Sequence, residues 1–594
     1  MKKNRLFLVL LAFACTSFFA CSSSDDETTD PGVGAETGSD IGEDAAGSRF
    51  MSVQIINPAG TKATDGGYEK GSDDENKVNS LRFYFFNEDG SPITVNATAG
   101  AGGDKNFVSA TPEPVGENMP NVEKILKATV VINTKQGDNI NVKKVVAVAN
   151  YDIAGLDDAA KSLSDLCAAV GDYSKISITN GGTTANNNFL MTSSSYADGS
   201  GQVTAVDIKP ENLCNSAAAA EANPVSIYIE RVVAKVKMDL SWKESVETEK
   251  DVTFNGETVT AVKMKNAQNE DITVNIDGTT KQLYVVFNKW DITGTAPQSY
   301  LIKKVGSTTA WNGLFTGWND PDKFRSYWAE NPAGVTNMDL KHFNYQSIGQ
   351  KFNGGYVYCL ENAGDDGVAD GTKAVYDPKA TITNRTQAII AATLVTLDGK
   401  NATAIGLVNW AGQYYTEAAA ITRMLDAITT KVYTDAEHTT KIAASDVELV
   451  TATAAHVADA NSETSPRYYS YLQLTSTAES KTFYDANGNT IDNNAKVNEI
   501  LKSLPGAKVW HDGLTYYYTD IEHFGADDTK GKYGVVRNHV YEISINSVVG
   551  LGTPVLKTDE VIVPQKPENV DTYIAAQINI LSWRIVKQSV DLEW

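Results

Sequence analysis

The sequence predicts an all-β protein assembled from β-sandwich domains, and three observations predict it. Period-two alternation in β-branched and aromatic runs dominates from residue 50 onward, as in 81–86, 142–149, 225–240, 283–287 and 540–545. Turn signals separate the runs; Asn87-Glu88-Asp89-Gly90 and Asp485-Ala486-Asn487-Gly488 are hairpin-type loops in which glycine accepts positive φ. Helical patterning is confined to a few short stretches, of which 157–169 and 416–429 are the best formed. Many strands and few helices require sheets to cover one another's apolar faces.

The chain opens on an address. Lys2, Lys3 and Arg5 precede an apolar stretch, 6–14, that is too short to span a bilayer. Phe18-Phe19-Ala20-Cys21 then reads as a lipobox, so 1–20 is expected to be a lipoprotein signal peptide and Cys21 the lipidated residue. Residues 21–49 are rich in Ser, Asp, Glu, Gly and Thr, with little to bury, and read as a flexible acidic tether. The Ser22-Ser23-Ser24-Asp25-Asp26-Glu27 run resembles the export signals of surface lipoproteins in Bacteroides-type bacteria. No later apolar run approaches the roughly 20 residues of a membrane-spanning helix.

The 594 residues are more than one domain needs, and 42% are apolar, a globular composition. The clearest break is 212–224, where an alanine run closes on Pro224 and a strand pattern begins at Val225. This gives a removable first strand and linker at 50–62, an N-terminal domain at 63–224 and a C-terminal domain at 225–557. The second is large for one sandwich and should carry insertions, including 311–331 and 365–384. Pro564 and Pro567 stiffen a tether within 558–572, and 573–594 is again strand-like, so 558–594 forms a tether and terminal strand.

Charge and motif chemistry exclude more than they propose. A net charge of −23 argues against a nucleic-acid partner, which would select a basic stripe. His342, His438, His456, His511, His523 and His539 show no metal-ligand spacing, although His511 and His523 flank Tyr516-Tyr517-Tyr518. Ser193-Ser194-Ser195 lacks a nucleophile elbow, and Asp485-x-Asn487-x-Asn489 lacks the glycine and glutamate positions of a calcium loop. Cys167, Cys214 and Cys359 form no framework and read as free thiols. The chain is therefore read as a non-enzyme with no cofactor and no metal. Trp311, Trp318 and Trp328 could stack on a sugar or simply pack an insertion.

The feature that carries function is a likeness between two distant segments. Phe50-Met51-Ser52-Val53-Gln54-Ile55-Ile56-Asn57 and Tyr573-Ile574-Ala575-Ala576-Gln577-Ile578-Asn579-Ile580 align without gaps. Met51 meets Ile574, Val53 meets Ala576, Gln54 meets Gln577 and Ile55 meets Ile578, so both strands offer a similar face to a core. Between the first strand and the first domain runs the small, polar segment 58–67, which holds Lys62 followed by Ala63, a site for an extracellular trypsin-like protease. A strand that can be clipped away and a similar strand on a tether suggest donor-strand exchange between subunits. Met51, Val53 and Ile55 would anchor the displaced strand. Ile574, Ala576, Ile578 and Ile580 would anchor the donor, with Trp583 extending the contact. In an isolated subunit the donor tail is expected to be mobile.

On these residues the chain resembles the type V fimbrial shaft subunits of the Bacteroidales, specifically the major fimbrilin of the short fimbria. The passages are the lipobox at Cys21, Phe50-Met51-Ser52-Val53, residues 143–150, 229–236 and 324–328, and above all 535–545 continued by 580–584 and 590–592. The resemblance implies two transthyretin-like β-sandwich domains and a lipoprotein precursor at the outer membrane. It also implies cleavage by an extracellular Arg- or Lys-specific protease and polymerisation with identical and accessory fimbrial subunits, the fibre then binding host or bacterial surface receptors. In the family the cut usually follows an Arg in the linker after the first strand. Here that linker offers Lys62, and the nearest arginine, Arg49, stands before the strand, next to Phe50. The alternatives are an accessory or tip subunit of the same machinery and a surface glycan-binding lipoprotein.

Overall fold

A computed structural model of the chain describes residues 48–57, 71–72, 74–95, 105–114, 124–133, 142–150, 160–173, 189–197, 202–304, 331–332, 343–362, 386–451, 469–523, 534–559, 561–562, 573–581 and 585–589. Seven strands matter most for function: β1 (Ser48–Asn57), β2 (Lys124–Asn133), β3 (Val225–Arg231), β4 (Val233–Leu240), β5 (Val540–Val549), β6 (Tyr573–Leu581) and β7 (Ile585–Ser589).

The first sheet runs Phe107–Ala110, Leu81–Phe86, Lys144–Ala149, Met191–Ser193, β3, β1, β2 and Glu113–Pro114. Its apolar runs converge on one core that includes Phe83, Phe85, Val145, Ala147, Leu126, Val130 and Ile227. Several runs are buried nearly throughout: Leu81–Phe86 has no exposed position, so the expected alternation of inward and outward faces is hidden there. The turn at Asn87–Gly90 forms as expected, with Gly90 at φ +80° and its N–H donating to the Asn87 carbonyl at 3.1 Å.

The second core lies between two sheets, which is the sandwich the alternation predicts. One sheet runs Tyr356–Leu360, β4, β5, β6, β7; the other contains Tyr284–Thr293, Gln387–Asp398 and Leu514–Asp520. Val236, Met238, Ile543 and Ile545 from the first meet Val285, Phe287, Ile390 and Tyr517 from the second. The architecture is thus mostly β with few short helices.

Two expectations about organisation change. The run 225–240 is not one strand opening a second domain: it is two strands that change sheets at Val232. β3 pairs with β1 and with Met191–Ser193 in the first sheet, whereas β4 pairs with Tyr356–Leu360 and β5 in the second. Val225, Ile227 and Ile229 are part of the first core, and Ala234, Val236 and Met238 part of the second. The second sheet therefore starts eight residues later than Val225 suggests, because strand patterning continues through the point where the partners change. The alanine run, read as part of the break at 212–224, is a helix, Ala217–Ala222, capped by Ser216 and packed on β1.

A third core was not foreseen. Between Asn401–Ala404 and Leu514–Asp520 the chain builds a five-stranded sheet from Leu407–Trp410, Gln413–Thr416, Val447–Thr451, Tyr469–Leu474 and Ala507–Trp510. The helices Glu417–Ala427 and Asn494–Leu501 pack on it through Ala420, Met424, Val497 and Leu501 against Val408, Leu472 and Val509. The helix expected over 416–429 is the first of these, and the one expected over 157–169 is Leu163–Ala168. The hairpin at Asp485 also forms: Gly488 sits at φ +78°, and the Asp485 carboxylate accepts the Asn487 and Asn489 N–H groups at 2.8 and 2.9 Å. Residues 305–330 and 363–385, which hold most of the two expected insertions and all three clustered tryptophans, lie outside the described residues.

Candidate functional site

β1 is seated in the middle of the first sheet. It runs antiparallel to β2 from Ser48↔Asn133 to Asn57↔Lys124 and parallel to β3 from Val53↔Val225 to Ile56↔Tyr228. In the register Met51 stands opposite Val130, Val53 opposite Ala128 and Val225, and Ile55 opposite Leu126 and Ile227, and these five partners are members of the first core. The three residues expected to anchor the strand therefore occupy its core-side register positions, and Met51 is 0% exposed. Taking β1 away would uncover this row and leave the facing edges of β2 and β3 without a ladder. Such a slot suits an incoming strand.

β6 is the strand next to the edge of the second sheet. It runs antiparallel to β5 with Ile580↔Tyr541, Ile578↔Ile543, Ala576↔Ile545 and, past an irregularity between Ile545 and Ser547, Ile574↔Val548. Tyr541, Ile543, Ile545 and Val548 are all members of the second core, so the four expected donor positions stand opposite core residues in the register. The expectation of a mobile tail does not hold for this stretch. The open edge of β5 gives the terminal strand a seat on its own chain, and β7 pairs along its other edge from Leu581↔Ile585 to Gln577↔Ser589.

Arg49 and Phe50 fall inside the paired length of β1, opposite Ile132 and Val131. Cys21, Lys62, Ala63 and Trp583 lie outside the described residues.

Where the two sheets hand over at Val232, charge is buried between them. The Arg231 guanidinium donates to the Glu75 carbonyl at 2.7 Å, to Asn538 Oδ1 at 3.0 Å and to Asn76. Lys235 Nζ pairs with the Glu75 carboxylate at 2.8 Å, and Tyr358 Oη donates to the same carboxylate at 2.6 Å. Alongside, Arg537 pairs with Glu361 and donates to the Leu301 and Tyr300 carbonyls at 2.9 and 2.7 Å, while Lys303 lies 3.6 Å from Glu230. Burial pulls the Lys303 ammonium below its ordinary value, against the Glu230 and Glu361 carboxylates. Elements from 75 to 538 are thereby stitched across the joint between β1's sheet and β6's sheet. Sequence reasoning missed these residues. The signal was present in Glu230-Arg231 and Lys235, charges set in an otherwise apolar run.

Glu75 makes this joint acid-sensitive. Burial raises its carboxyl, but the Lys235 and Tyr358 hydrogen bonds and the Lys235 charge together bring it below its ordinary value of 4.5. A group lowered on folding adds stability that is complete above the unfolded value and is lost as pH falls through the folded one. Thermal melts should therefore show stability falling once the pH drops below 4.5. Glu75→Gln should be less stable than wild type at pH 7 and should approach it in acid. Parallel pH profiles would refute the assignment.

The two histidines that flank Tyr516–Tyr518 take separate places. His511 lies on the surface 3.1 Å from Glu417, while His523 is buried and accepts or donates at 2.8 Å with Tyr541 Oη beside His539. Ser193 is buried, and its hydroxyl accepts the Ala147 N–H at 2.8 Å, a sheet-internal role. Cys167, Cys214 and Cys359 are free, and burial pushes the Cys359 thiol up to about 12.

Two family models match the chain. The model of the major fimbrial subunit protein FimA covers residues 50–231, which run from the second residue after the start of β1 to the end of β3. The model of the C-terminal part of major fimbrial subunit protein type IV, fimbrillin, covers 508–589, which includes β5, β6 and β7. No curated protein matches. Among solved structures, a FimA fimbrilin of Porphyromonas gingivalis W83 is similar at 13% identity and a TM-score of 0.34, covering 91% of this chain and 98% of that one. A cell adhesion protein of Bacteroides eggerthii matches at 12% identity and 0.33, over 91% and 98%. The C-terminally truncated tip fimbrial protein Mfa3 of P. gingivalis matches at 11% and 0.29, over 90% and 100%.

Proposed function

We propose that this chain, which belongs to the type V fimbrial subunit family of the Bacteroidales, is the repeating shaft subunit of its fimbria and joins its neighbours by donor-strand exchange. The family is one of structural, non-enzymatic subunits of extracellular fimbriae that serve cell adhesion. The observation that carries the finer reading is the equivalence of β1 and β6. Each carries the same alternating apolar pattern in its sequence, with those positions in register opposite core residues of its neighbours. A subunit with both an emptiable slot and a matching strand can extend a fibre in both directions, which a capping tip subunit has no need to do.

In this reading Cys21 carries the lipid that holds the precursor at the outer membrane, and an Arg- or Lys-specific protease cuts after Lys62. β1 then leaves, and the β6 segment of a neighbouring copy fills the slot between β2 and β3. Accessory subunits would end the fibre, and surface receptors on host or bacterium would bind it. We draw the boundary between the two structural halves at Val232, where the strand changes sheets, one residue past the end of the FimA-model match at 231. Lys62 is favoured over Arg49 on two grounds. Arg49 is already laddered to β2, which shields its peptide bond, and a cut there would leave the strand seated.

Lys62→Gln tests this. The variant should reach the surface and fold but remain monomeric, lipid-anchored where Arg49 is spared and shed as a monomer where it is cut. Fibres of normal length from Lys62→Gln would contradict the proposal.

A further inference from the structure

β1 is covered from above as well as below. The Ala217–Ala222 helix packs on its outer side, with Ala220 0% exposed, and Ser52 beneath is also 0% exposed with no partner for its hydroxyl. Alanine side chains let the helix approach the strand as closely as a backbone allows. Both helix ends are fastened. Ser216 Oγ accepts the Ala219 N–H at 3.2 Å, and Asn223 Nδ2 donates to the Ala219 carbonyl at 3.1 Å. Asn212, itself holding the Lys209 N–H at 2.9 Å, donates to the Asn223 carbonyl at 3.0 Å. Two residues after the helix, Asn223 and Pro224, the chain enters β3, the parallel neighbour of β1. The helix is therefore folded back from one wall of the slot across its mouth. With the core below, β2 and β3 at its sides and the helix above, β1 has no lateral exit while the helix is down.

We propose that the Ala217–Ala222 helix is a clasp on the first strand. It holds β1 before and after the linker is cut, and its lifting about Asn223-Pro224 sets how fast the slot opens to a second copy of the chain. The purpose assigned to the clasp rests on the strand-exchange reading; its mechanical effect on β1 does not. Two kinds of variant separate the clasp from general damage: Ala220→Trp wedges bulk between helix and strand, and the double change Ser216→Ala, Asn223→Ala unfastens the ends without bulk.

Hydrogen exchange on the intact, uncut chain reads the first effect. Both variants should speed exchange of the β1 amides, roughly fivefold to tenfold for the double change, the scale of losing helix-end fastenings. Exchange across β4 and β5 should stay as in wild type. Unchanged β1 protection in a variant whose helix amides have lost theirs overturns the clasp. The second readout is uptake of a labelled synthetic peptide of residues 573–589 by chain nicked with a lysine-specific protease. Uptake accelerated in the same ratio supports the clasp in its assigned role. Faster β1 exchange with no peptide uptake in any variant supports the clasp and removes the strand-exchange reading instead.

Discussion

Deleting residues 573–594 should leave a subunit that folds, is exported and is cut, yet adds nothing to a fibre. Imaging of purified surface material should show isolated particles, a complete loss. The cause is the loss of β6, whose four core-side positions each place an aliphatic residue where burial is worth roughly 1.5–3 kcal/mol for a large side chain. Part of that gain is spent on ordering the tether. Ile578→Asp should act nearly as severely, because position 578 lies opposite Ile543 on the core side and would bring a charge into it without a partner. Gln577→Asp, opposite the half-buried Ser544 on the other side, should be tolerated. Because β6 is seated on β5 in its own chain, Ile578→Asp should also release it there, raising exchange of the β5 amides before any assembly. Equal behaviour of the two substitutions would refute the register.

Arg537→Met should be the most destabilising single change at the joint. Arg537 is 0% exposed, and its loss would strand the buried Glu361 carboxylate together with the Leu301 and Tyr300 carbonyls. Breaking one side of a buried pair costs about 3–5 kcal/mol. Lys400→Met, which removes a pair to Glu249 with both partners about half exposed, should cost no more than about 1 kcal/mol. Urea unfolding of the full chain measures both. Similar midpoints for the two variants would mean that the joint contributes little.

The fold class and the strands β1 and β6 were legible because alternation and turn residues are local signals. The pattern of Met51, Val53 and Ile55 can be read without knowing what lies above it, and so can that of Ile574, Ala576, Ile578 and Ile580. Pairing is not local. Glu230-Arg231 and Lys235 flank Val232 as charges in a strand-like run, but they do not say which neighbours replace which there. The module spanning 407–510 was hidden for the same reason: Leu407–Trp410 and Ala507–Trp510 alternate as any edge of the large sandwich would, and only their mutual pairing separates them from it. The alanine run misled because helix and linker share that composition. Ser216 before it and Asn223 after it were the readable caps. The seat of the terminal strand on β5 could not be foreseen, since the pattern that fits the slot of β1 fits any open edge beside an apolar face.

N-terminal sequencing of the subunit recovered from the fibre tests strand exchange most directly, because the slot opens only if β1 has gone. The account predicts a chain beginning at Ala63, with residues 50–62 absent. A fibre whose subunits begin at Phe50, β1 still in place between β2 and β3, would contradict it.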